Sequence, residues 1–283
     1  MKKYILLFSL LTLLGCQDYG KLTVVTDLPN TLKEVSGTEI TRNSDLIWML
    51  NDSGNKPHLY GLSYSGKIDN ELKIQAKNHD WEDLTSDKEG NLYIGDFGNN
   101  DSKRQNLAIL KVNHQDLMSK SEIEIERIRF SYPEQTKFPA KKKNRFFDSE
   151  SLFYWNNSLY IFTKSRVKNH YGKTSLYKIP AEKGNYKAEF ISTFKNDCND
   201  ISCWITSAAI SPDGKKVVLL TSKSVLLFTN FKGDDFLSGT FKKLPLEHTS
   251  QKESITFKDE NTLYISDEKA HGAGGFLYEL KLN

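Results

Sequence analysis

The chain has 283 residues, 38% of them hydrophobic and 12% aromatic, and carries a formal net charge of +3. That length can bury the sizeable core of one large domain or two small ones. Tyr, Phe, Thr, Ile and Val fall in short clusters rather than at helical spacing, which favours strands.

The N-terminus reads as a targeting segment, with Lys2 and Lys3 followed by an apolar run from Tyr4 to Leu14. The run is too short for a comfortable membrane span. It ends in Leu13-Leu14-Gly15-Cys16. This arrangement resembles the bacterial lipoprotein signal. The resemblance implies cleavage before Cys16, a lipid on its thiol, and a lipid-anchored membrane protein of the bacterial cell envelope. A plain signal peptide with an incidental cysteine is the alternative. The expected division is therefore a signal peptide over 1–15, a tether over 16–21 and one domain over 22–283. Without its first 15 residues the chain has 37 basic against 36 acidic residues. The excess of positive charge is thus mostly the leader, and no nucleic-acid partner is expected.

Five times along the chain a polar turn feeds a short apolar strand. These are Leu46-Ile47-Trp48-Met49-Leu50, Leu92-Tyr93-Ile94, Leu159-Tyr160-Ile161-Phe162, Val217-Val218-Leu219-Leu220 and Leu263-Tyr264-Ile265. Their first residues lie 46, 67, 58 and 46 positions apart. Repeats of this length, each divisible into four strands, indicate propeller blades, with the longer intervals holding insertions. The third unit divides into strands at Glu150–Tyr154, Leu159–Thr163, Ser175–Ile179 and about Ala188–Phe194. The fifth has strands at Ser254–Lys258, Leu263–Ser266 and Phe276–Leu282, and then runs out of chain. Its fourth strand is expected from Leu22–Thr26, which pairs the two ends and leaves no free edge. The fold expected is an all-β, five-bladed β-propeller closed by its terminal strands. Six blades is the alternative, with the extra one hidden in 121–145, where one strand, Ile123–Phe130, precedes a loop bearing Lys137, Lys141, Lys142, Lys143 and Arg145. That loop reads as a solvated insertion or as an arm for anionic lipid or an anionic substrate. Cys198 and Cys203 are expected to staple their loop as a disulfide, since export places them in an oxidising compartment and no further ligands complete a zinc set.

The innermost strands of a propeller line its central channel. Aligned on their apolar residues, the five innermost segments put Ser36, Glu82, Glu150, Ser207 and Glu253 at one position. Converging carboxylates raise one another's pKa, so such a ring favours protons or a cation. All-oxygen ligands point to calcium rather than zinc. The order Ser, Glu, Glu, Ser, Glu around five blades resembles the calcium-activated nucleotidases (apyrases), a resemblance that implies calcium at the centre of the ring. The wording of Glu34-Val35-Ser36-Gly37, Asn51-Asp52-Ser53-Gly54, Asp80-Trp81-Glu82-Asp83-Leu84, Gly95-Asp96-Phe97-Gly98-Asn99-Asn100 and Ser211-Pro212-Asp213-Gly214 is similar to bacterial envelope propellers grouped as phytase-like or esterase-like.

The loops joining second to third strands, and the connections into each first strand, should surround the mouth above the ring. They bring Asn51, Asp52, Asn99, Asn100, Arg104, Lys164, Arg166, Lys223, Glu268 and His271, with Asp148 nearby. Asp96 and Asp267 are the candidate general bases. Carboxylates over a metal with Lys and Arg around them suit an anionic small molecule, and another envelope protein is the other partner considered. Two functions follow: a ligand- or protein-binding module with a central calcium, or a calcium-dependent hydrolase of phosphate or other esters using metal-activated water. The Gly-x-Ser-x-Gly elbow, the His-Glu-x-x-His zinc motif and the phosphate loop are missing from the sequence. Trp48, Trp81, Trp155 and Trp204 are expected to pack between blades.

Overall fold

A computed structural model describes residues 18–42, 44–270 and 272–282, so the expected signal peptide, Cys16 and His271 lie outside the described residues. The chain folds as a five-bladed β-propeller. After β1 (Thr23–Asp27), blade one is built from β2 (Val35–Ile40), β3 (Ile47–Asn51), β4 (His58–Leu62) and β5 (Ile68–Ile74). Blade two comprises β6 (Trp81–Ser86), β7 (Leu92–Asp96), β8 (Ala108–Val112) and, after the two-residue β9 (Glu122–Ile123), β10 (Glu126–Ser131). In blade three, β11 (Asp148–Trp155), β12 (Ser158–Lys164) and β13 (Lys173–Pro180) are followed by β14 (Gly184–Lys187) and β15 (Glu189–Lys195). Blade four is β16 (Ser207–Ile210), β17 (Lys216–Leu220), β18 (Ser224–Thr229) and β19 (Thr240–Pro245). Blade five is β20 (Lys252–Asp259), β21 (Thr262–Asp267) and β22 (Phe276–Lys281), completed by β1. β1 pairs antiparallel with β22, so the two ends of the domain close the ring.

Period-two alternation explains why the second strand of each blade is apolar on both faces. In β12, Leu159 and Ile161 pack toward blade two, while Tyr160 and Phe162 pack toward blade four. In β3, Ile47 and Met49 pack with blade five, and Trp48 and Leu50 with blade two. The core is accordingly five separate apolar layers, one between each pair of neighbouring blades.

The segment expected as a single strand over Ile123–Phe130 is two strands. β9 adds to the outer edge of blade one in parallel with β5, and β10 is the outer strand of blade two. Likewise β14, unforeseen in the sequence, leaves blade three to pair in parallel with β10. Each is a strand that a neighbour lends to cover an exposed edge.

A bulge interrupts the innermost pairing of four blades. The ladders skip Ser36, Glu82, Glu150 and Glu253, one residue each. A bulge leaves its extra residue unpaired and re-aims its side chain. The next residue along lies one layer deeper. There the Asp83 carboxylate accepts from the Leu152 amide (3.0 Å) and the Ser207 hydroxyl (3.1 Å), and that hydroxyl also accepts from the Ile255 amide (3.1 Å). Blades two and four are not neighbours, so the Asp83–Ser207 bond crosses the axis and floors the mouth above it.

Candidate metal centre and ligand mouth

Above that floor is a cavity of about 610 Å³, opening between the second-to-third-strand loops and the connections into the first strands. Ser36, Glu82, Glu150 and Glu253 line it, together with Asp52, Asn100, Lys164, Arg166 and Glu268 from the loops. The mouth is on the side expected from the sequence.

Ser207 does not line it. Blade four has Thr206 at the place of the bulge residue: Ser207 pairs with Leu220 as Gly37, Asp83, Ser151 and Ser254, each just after its bulge, pair in the other blades, and the Thr206 amide donates to the carbonyl of the same Leu220 (3.1 Å). Thr206 lines the cavity, and its hydroxyl donates to the Lys252 carbonyl (2.7 Å). Alignment on apolar residues slipped by one here, because Ala208 and Ala209 are too alike to fix a register.

The acidic side of the mouth is knit by backbone bonds. The Asn78 amide group donates to the carbonyls of Asn51 (3.1 Å) and Asp52 (2.9 Å), while its oxygen accepts from the Trp81 amide (3.1 Å). The Gly98 amide donates to the Asp80 carbonyl (3.2 Å). These contacts bring one carboxylate oxygen each from Asp52, Asp80 and Glu82 within 4.8 Å of one another. Gly98 permits the approach: a Cβ there would lie 2.0 Å from Glu82 Oε1 and 2.5 Å from the Asp80 carboxyl carbon. Among the described residues Glu82 has no hydrogen-bond donor. Its pKa is held well above the carboxylate range, first by burial and then by Glu150, Asp52 and Asp80. Burial also raises Asp52 to about 6 and Glu253 to about 8.

The other side is cationic. Lys164 contacts Glu150, and Arg166 bonds to Asp148 (2.6 Å), to Glu150 (2.9 Å) and to Asn100. Burial raises Glu150 to about 7 against the opposing pull of these cations. Trp204, expected to be blade packing, lines the mouth instead. Its ring lies 4.9 Å from the Lys164 ammonium and 4.5 Å from the Arg166 guanidinium, and its indole N–H donates to the Ser165 carbonyl (2.7 Å). The Cys198–Cys203 disulfide closes the loop that leads into it. Trp48 and Trp81 are fully buried between blades, and Trp155 packs, partly buried, against the layer between blades three and four while lining a pocket at the opposite end of the channel.

Several expected mouth residues are fastened behind the cavity wall. Both oxygens of Asp267 are taken, by the Phe276 amide (2.9 Å) and the Tyr278 hydroxyl (2.9 Å). Asp96 is fully buried between Arg104 (2.9 Å) and His79 (3.0 Å). Neither carboxylate lines the cavity, so neither is placed to act as a base there. Asn99 anchors Arg104, Asn51 bonds to the Thr31 carbonyl, and Lys223 lies 3.8 Å from Asp200. Sequence reasoning left out Asp80, Thr206, Lys252 and Trp204. Asp80 had a signal, standing two residues before Glu82 in the same connection. Lys252 had none: its buried ammonium bonds to Ser250 (2.9 Å), His248 and the Ser222 carbonyl, and burial lowers its pKa to about 8.

No protein-family model matches the sequence, and no curated relative does. Among solved structures, the chain is similar to a gluconolactonase from Xanthomonas campestris, with 11% identity, 93% of this chain and 89% of that chain covered, and a TM-score of 0.52. A chain of a nidogen/laminin complex (10% identity, 83% and 72% covered, TM-score 0.47) and a virginiamycin B lyase from Staphylococcus aureus (15%, 90% and 69%, 0.44) also match. The likeness is one of fold.

The donor set fits a hard cation. Asp52, Asp80 and Glu82 offer only oxygen, they converge without a positive partner for Glu82, and calcium takes six to eight such ligands. Glu150 fits less well, because Lys164 and Arg166 already hold both its oxygens.

Proposed function

We propose that this protein is a lipid-anchored envelope propeller whose mouth holds a calcium ion and binds a ligand above it. The observation that carries the calcium is the convergence of Asp52, Asp80 and Glu82 against the bare backbone of Gly98. In this reading the three carboxylates hold the ion, while Glu253 and Glu268 line the cavity around it. A bound calcium would offer open positions to oxygen atoms of a ligand. Arg166, Lys164 and the Trp204 ring provide the opposite wall, suited to an anionic group attached to a flat or apolar body.

The test is metal content and calcium titration by calorimetry. One calcium per chain in the wild type, lost in Glu82→Gln, is the expected result. No bound divalent metal, with the same melting temperature in chelator as in calcium, would overturn the reading. For the anchor, Cys16→Ser should release the protein from membranes.

A hydrolase of phosphate or other esters is the second reading. It is favoured by Glu268, which lines the same cavity and has no ion-pair partner among the described residues. Glu268 thereby replaces Asp96 and Asp267 as the candidate base. The ion would supply Lewis-acid polarisation of the ester oxygen. Turnover of an aryl ester or phosphate ester that Glu268→Gln abolishes while calcium is retained would favour this reading. Absence of turnover across ester, nucleotide and phosphate-ester substrates would leave the binding module.

A further inference from the structure

The chain enters the propeller at the rim of the mouth. The Tyr19 ring packs on His248 (5.6 Å), Phe276 (5.4 Å) and Tyr278 (5.7 Å), and the Lys21 amide donates to the Leu246 carbonyl (2.9 Å). Leu246 in turn donates to the Lys223 carbonyl, beside Ser222 in the cavity wall. Across the mouth lies the basic loop of 137–145. The Arg166 amide donates to the Arg145 carbonyl (2.9 Å), and the Ala140 amide to the Ser102 carbonyl (3.1 Å), next to the rim residue Asn100. Lys137, Lys141, Lys142 and Lys143 are exposed and have no carboxylate partner among the described residues, and neither has Lys168 on the adjoining loop. Phe138 stands among them, 37% exposed.

We propose that this rim docks on an anionic lipid surface, so that the mouth opens toward the membrane. Two independent placements converge on it. Cys16 is three residues before the docked Tyr19, so chain length alone keeps its Cα within about 11 Å of the Tyr19 Cα. A lipid there leaves little room to turn the mouth away. The unpaired lysines then meet lipid phosphates on the same face, and Phe138 can enter the headgroup layer beside them. The opposite face, with the exposed turn at Asp213-Gly214-Lys215, points to bulk solvent. The orientation rests on the proposed anchor, and it restricts the ligand of the mouth to molecules at or in the membrane surface.

The test is lysine footprinting of the full, processed chain on vesicles. Vesicles of phosphatidylethanolamine and phosphatidylglycerol are compared with vesicles of phosphatidylcholine alone, and amine labelling is read by mass spectrometry. Lys137, Lys141, Lys142 and Lys143 should be labelled several-fold more slowly on the anionic vesicles, and Lys215 equally on both. In the variant Lys141→Glu/Lys142→Glu/Lys143→Glu, with all three charges in an exposed loop reversed, Lys137 should regain its full labelling rate. Retention on vesicles with Lys137 labelled like Lys215 would overturn the orientation alone. Failure of the chain to stay with either vesicle would overturn the anchor and the orientation together.

Discussion

Gly98 has no side chain, and that lets two carboxylates close on one point. Its substitution by Ala would place a methyl group 2.0 Å from Glu82 Oε1, so the acidic cluster must open. The expected outcome is a calcium affinity lower by about 10–100-fold, the usual cost of disturbing groups that orient a metal ligand. Titration calorimetry measures it, and an unchanged affinity would show that the bare backbone at Gly98 does not shape the site. Glu82 and Glu150 should respond oppositely to neutralisation. Glu82 is buried without a donor, so Glu82→Gln relieves an uncompensated charge and should raise the melting temperature of the metal-free protein at pH 8. Glu150 is the ion-pair partner of the buried Lys164, so Glu150→Gln strands that ammonium, while Arg166 keeps Asp148, and should cost about 3 kcal/mol in denaturant unfolding. The three glutamates were legible in the sequence because each recurs at one place before an apolar strand. The deeper Asp83–Ser207 bond was not, since it joins residues 124 positions apart and no local pattern encodes it.

At the scale of the strand, alternation carried the blades and bulges carried the site. The second strands were readable from sequence alone because both their faces are buried, as Leu159 to Phe162 illustrate. The loaned strands β9 and β14 were not: two and four residues long, they gain stability only from a neighbour's edge. The bulges were equally invisible, yet they turn Glu82 and Glu253 into the mouth rather than along the ladder. The closing strand β1 was anticipated because blade five ran out of chain. Leu22 and Val24 pack into the layer between blades four and five, and removing residues 18–27 would strip β22 of its outer partner and leave it paired only with β21. Such a chain should lose cooperative unfolding and associate through the exposed edge, as size-exclusion chromatography would detect. A monomeric truncated chain with unchanged melting would show that closure contributes little.

For the molecule as a whole, half-buried carboxylates at both ends of the channel make stability depend on pH and metal together. Glu39, at the end away from the mouth, is raised to about 8 by burial, against weaker opposing bonds from Ser86, Ile40 and Thr256. Glu253 reaches about 8 and Asp52 about 6, again mainly through burial. A carboxyl whose folded pKa exceeds its unfolded value holds more protons in the native state. Its contribution is therefore complete below about pH 4.5 and is lost as pH rises through the folded value. The metal-free protein should weaken steadily from about pH 5 to pH 8, by an amount on the order of a few kcal/mol. Calcium acts on only part of this. Bound to Asp52, Asp80 and Glu82, it competes with protons there and should stabilise strongly at pH 8 and hardly at pH 5. It cannot reach Glu39, on the far side of the Asp83–Ser207 floor, so a residual decline should persist in saturating calcium and become smaller in Glu39→Gln. Thermal unfolding at pH 5, 6.5 and 8, with calcium and with chelator, separates the two ends. An equal calcium effect at pH 5 and pH 8 would mean that the ion does not displace protons from the acidic cluster.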